Sequence, residues 1–64
     1  MRNTPEDIKE WLLEVIADLD LGTQREIIVR CDPLIATGHL RGDITMVLIR
    51  HWPEHAEKMV DLYR

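Results

Sequence analysis

The stretch that most constrains how this chain can fold is Asp43-Ile44-Thr45-Met46-Val47-Leu48-Ile49-Arg50-His51-Trp52, its most apolar run. At helical spacing Ile44, Val47 and Leu48 share one face with Trp52 on its flank, while Met46 and Ile49 fall on the back. A helix that is apolar nearly all round has no side to turn toward water and is normally buried. The run is therefore expected at the centre of the fold, or held between a core and a partner. A buried strand over 44–51 is the competing reading, paired with residues 25–31, whose run Glu26-Ile27-Ile28-Val29-Arg30-Cys31 is β-branched. Period alone does not separate helix from strand over runs this short.

The punctuation around the two runs favours helices. Thr4-Pro5-Glu6-Asp7 combines a capping hydroxyl, a proline suited to the first helical position and acids that complement the helix dipole. Ile8, Trp11, Leu12, Val15, Ile16 and Leu19 follow as an amphipathic stripe, which predicts a helix over about 5–21 with Gly22 as its terminator. Thr23 and Glu26 fit a capping box opening a second helix over about 24–31. Asp32-Pro33 predicts a separate short helical turn near 33–37, stopped by Gly38. Asp43 is expected to cap a helix over 43–52, within an Arg41-Gly42-Asp43 tripeptide read as a plain turn rather than an adhesive motif. Pro53 disfavours helical geometry at Trp52 and restarts a last helix over about 53–63. All three prolines thus stand where helices are expected to begin. The fold predicted is an all-α bundle of four main helices in one domain over 1–64.

At 64 residues, such a chain buries only about 60% of the surface its unfolded form exposes. A single cysteine, Cys31, excludes an internal disulfide. Oligomerisation is the expected supplement to a thin core. No apolar run approaches the roughly 18–20 residues of a membrane span. The acidic start also lacks the basic and apolar order of a signal peptide, so a cytoplasmic protein is expected.

The net charge of −4 is unevenly placed. Residues 1–21 hold six acids and two bases, whereas residues 22–64 hold six of each. Glu6, Glu10, Glu14 and Asp18 are spaced four apart, an acidic ridge opposite the apolar stripe. Like charges at that spacing destabilise a helix slightly, so helix stability does not call for the pattern. It reads as a solvated face that keeps a small protein soluble, or as a docking surface for a basic partner protein. Met46, Ile49 and Trp52 are the expected homodimer contacts, left over once the other face of their helix is covered.

Other chemistry finds little footing. Cys31, His39, His51 and His55 are the candidate metal ligands, but Pro53 interrupts the His51–His55 pair and no Cys-x-x-Cys accompanies it. No phosphate loop or nucleophile elbow is present. Neither a metal, a cofactor nor an enzymatic activity is expected. A dimeric helix-turn-helix DNA binder is the alternative, with 33–37 leading to a recognition helix at 43–52. Only Thr45, Arg50 and His51 would then read bases, backed by Arg25, Arg30 and Arg41, in a chain whose net acidity opposes phosphate binding.

Overall fold

A computed structural model of the chain describes residues 4–57. It is all-helical, with three α-helices and a short 3₁₀ turn, and no strand forms among the described residues. The helices are α1 (Pro5–Val15), α2 (Leu21–Ala36) and α3 (Arg41–His51), followed by the 3₁₀ turn Pro53–His55. The strand pairing of 25–31 with 44–51 is excluded, since both stretches are helical.

Helix α1 begins as its signals predict. Thr4 is the N-cap, and its Oγ1 accepts the Asp7 N–H at 3.2 Å while donating to Asp7 Oδ2 at 2.7 Å. The helix ends at Val15 rather than near residue 21, with Ile16 as its C-cap. Beyond it Asp18 and Asp20 would place negative charge at the negative end of the dipole. Asp20 instead caps the next helix, accepting the Thr23 N–H at 3.0 Å. Gln24 reaches back to secure the intervening turn, its Nε2 donating to the carbonyls of Leu19 (2.7 Å) and Ala17 (3.2 Å). Gly22 is therefore no terminator but part of the first turn of α2.

Helix α2 unites what the sequence reads as two elements. It runs through Asp32-Pro33, so the separate turn near 33–37 and its cap do not exist. Proline lacks the N–H that would bond the Val29 carbonyl and crowds that carbonyl as well, at a typical cost of about 3 kcal/mol inside a helix. Against this, Ile27, Cys31 and Ile35 recur every fourth residue and are all buried. Only one continuous helix keeps all three on the same core-facing line. Val29 is 70% exposed, so its carbonyl stands on the side of α2 that water reaches.

The C-terminus of α2 is a Schellman motif. Gly38 takes φ +93°, its N–H donates to the Ile35 carbonyl at 3.1 Å, and the His39 N–H donates to the Leu34 carbonyl at 3.0 Å. Leu40, not Asp43, is the N-cap of α3, with no side-chain capping bond. Asp43 lies inside the first turn, where its charge still favours the dipole. At the other end the sequence reading holds. Trp52 leaves helical geometry ahead of Pro53 (φ −131°, ψ 62°), although its N–H still bonds the Leu48 carbonyl at 2.8 Å. The expected fourth main helix opens as the 3₁₀ turn and continues helically at Ala56 and Glu57, and positions 58–63 of that expectation lie outside the described residues.

The core is Ile8, Leu12, Val15 and Ile16 from the first helix and its cap, Ile27, Cys31 and Ile35 from α2, and Ile44, Leu48 and Trp52 from the end of the chain. Helix α2 packs against both α1 and α3, and the apolar run of α3 contributes Ile44 and Leu48, both fully buried, to the same core. Two arginine–tryptophan contacts reinforce the arrangement. Arg41 of α3 lies 5.9 Å from the ring centroid of Trp11 on α1, and Arg30 of α2 lies 6.0 Å from that of Trp52.

Candidate functional site

Three places carry the sequence-derived expectations: the outer face of α1, the outer face of α3, and the residues considered as metal or base readers.

On α1, Ile8, Leu12 and Val15 turn inward, which leaves Glu6, Glu10 and Glu14 exposed on the other side. Among the described residues none of the three takes part in an ion pair. Lys9, the only base of this helix, is directed elsewhere: its Nζ lies 3.8 Å from Asp32 Oδ1 on α2. That pair is about half exposed on both sides and contributes little to stability. Its consequence is that the ridge is left without a neutralising cation from its own helix. Asp18 departs from the expected line, because it lies in the turn after Val15 and not on the helix. The structure thus brings three of the four predicted acids onto one helical face, with Asp18 beyond its C-terminal end.

On α3 the expected division into an inward and an outward side holds for Ile44, Leu48 and Met46 but not for Val47 and Ile49. Ile44, Thr45 and Leu48 are buried, Val47 and Ile49 are intermediate, and Met46 is 60% exposed. Trp52, expected at a dimer contact, is only 8% exposed and forms part of the chain's own core. Pro53 turns the chain there, and Arg30 and His51 flank the indole, the latter edge-on with ring centroids 6.0 Å apart. Intramolecular packing therefore accounts for its burial.

The candidate metal ligands do not converge. Cys31 is fully buried, and no group of three or more His, Cys, Asp or Glu side chains arranged to hold a metal occurs among the described residues. Burial pushes the Cys31 thiol up to about 11, opposite to what an activated thiolate requires. His39 instead helps close α2, its Nδ1 lying 3.1 Å from the Leu34 carbonyl. Of the three residues expected to read bases, Thr45 is buried, and its Oγ1 donates to the Arg41 carbonyl at 2.8 Å.

A feature the sequence reading did not find is a shallow groove lined by Glu26, Val29, Arg30, Pro33 and Trp52. It forms where the end of α3 crosses the proline-bearing side of α2. Its only sequence signal, a proline in a helical stretch, reads equally well as a helix start. No helix among the described residues is long and apolar enough to cross a membrane. Compared with known protein families, with curated proteins and with solved structures, the chain matches none.

Proposed function

We propose that this chain is a non-catalytic regulatory or adaptor protein that works by binding another protein, and that the outer face of α1 docks a basic partner. One observation carries the reading: Glu6, Glu10 and Glu14 are exposed together and unpaired among the described residues, while Lys9 is turned away to Asp32. Glu14 adds to it. It stands in the last turn of α1, where the dipole disfavours an acid and no base is present. Helix stability does not call for these charges, and a basic surface would be attracted by them.

The test compares wild type with the Glu10→Gln/Glu14→Gln double variant. Both are immobilised, and proteins retained from the native host are identified by mass spectrometry. The variant is expected to keep its helical circular dichroism, to lose a basic partner that wild type retains, and to show a flatter salt dependence of association. Identical retention by the two proteins would return the ridge to a solvated face. Salt-sensitive retardation of random duplex DNA would favour nucleic-acid binding instead.

A further inference from the structure

The outer side of α3 carries a stripe that is complementary to itself. Asp43, Met46, Val47 and Arg50 follow at intervals of three, one and three residues, the spacing of neighbours on one helix face. The stripe lies across the helix from Ile44, Thr45 and Leu48, which face the core. Asp43, Met46 and Arg50 are exposed, and Val47 sits half-buried at the shoulder. Neither Asp43 nor Arg50 belongs to an ion pair among the described residues. Read in one direction the stripe is acid, apolar, apolar, base; read in the other, the charges exchange and the apolar centre is unchanged.

We propose that α3 pairs antiparallel with α3 of a second copy of this chain, about a two-fold axis passing between Met46 and Val47. Under that axis Asp43 of each copy stands opposite Arg50 of the other, and Met46 opposite Val47, each contact occurring twice as an isologous interface requires. The reach is adequate. The stripe spans roughly 10 Å at 1.5 Å per residue, and packed helix axes lie about 8–10 Å apart, within the length of facing Asp and Arg side chains. A parallel pairing would set Asp43 against Asp43 and Arg50 against Arg50, so the charges select the orientation. Met46 and Val47 provide the apolar centre, with Ile49 at its rim. Trp52 takes no part, being buried within its own chain. This surface is separate from the acidic face of α1, and the proposal stands independently of the partner docked there.

Sedimentation equilibrium of the full chain at micromolar concentration tests it. Wild type is expected to dimerise, and Met46→Glu to weaken the dimer by about tenfold or more, since a charge would enter the centre of the interface. D43R alone and R50D alone each set like charges face to face and weaken it too. The D43R/R50D double swap restores opposite charges across the axis, and with them the association. Glu10→Gln/Glu14→Gln leaves the dimer unchanged. A wild type that stays monomeric, a dimer indifferent to Met46→Glu, or a helical double swap as weak as either single reversal would overturn the proposal. Should the swap lose its helical circular dichroism, the wild-type dimer decides in its place. Antiparallel pairing requires weaker association as salt rises, and a salt-independent dimer contradicts it.

Discussion

Asp20 and Thr23 are joined twice across the first turn of α2. The Thr23 N–H donates to Asp20 Oδ2 at 3.0 Å, and the Thr23 hydroxyl donates to Oδ1 at 2.7 Å. These bonds, the hydroxyl's foremost, hold the Asp20 carboxyl below its ordinary value. A carboxylate whose pKa falls on folding contributes stability that is complete above its unfolded pKa and lost as pH drops through the folded one. Asp20→Ala is therefore expected to lower stability at neutral pH and to reduce the loss seen on acidification. Urea unfolding followed across the acid range measures both. Identical acid limbs for wild type and variant would contradict the assignment.

Gly38 should resist replacement for conformational rather than steric reasons. A Cβ added there would meet nothing within 4 Å, yet φ is +93°. Gly38→Ala is expected to destabilise by about 1 kcal/mol or more, because an L side chain is strained in that backbone conformation. Asn, which tolerates positive φ better, should be less harmful. A thermal melt in which the two variants match wild type would count against the motif that closes α2.

Pro33 makes the opposite prediction. Replacing it with Ala restores a donor for the Val29 carbonyl and relieves crowding inside α2. Pro33→Ala should raise stability by about 1–3 kcal/mol, seen as a higher urea midpoint. A lower midpoint would mean that the proline ring itself is required where α2 packs against the end of α3.

Cys31 is fully buried, and its thiol is pushed up to about 11 by that burial. Thiolate is the reactive form. Reaction with an aromatic disulfide reagent at neutral pH should therefore be slow in the native protein and fast in denaturant. Its native rate should follow the population of open states. Rapid native labelling would show that the core around Cys31 opens far more readily than its packing implies.

How much of this was legible in the chain depends on whether the deciding interaction is local. The helical class, the start of α1 at Thr4-Pro5, its inward residues Ile8, Leu12 and Val15, the stop at Gly38 and the break at Trp52-Pro53 are all written in neighbouring residues. Each rests on a cap, a backbone restriction or a short periodicity, and these act within one or two turns. The exposed acids of α1 were legible for the same reason.

Other features depend on choosing between equally good local signals. Thr23 and Asp20 are both competent caps, and the choice between them followed from where α1 could end. Asp32-Pro33 reads as a helix start, but a common inward line for Ile27, Cys31 and Ile35 required one helix through the proline. The apolar run at 44–52 reads as apolar nearly all round, yet only packing against α2 decided that Ile44 and Leu48 face the core and Met46 faces out. Trp52 was likewise drawn into the core by the turn at Pro53 and the packing of Arg30 over its ring. By itself the sequence determined that the chain is helical and where several of its helices begin or stop. Only the tertiary structure decided which apolar side faces which neighbour, because burial is a property of distant segments brought together and no short window of sequence contains both.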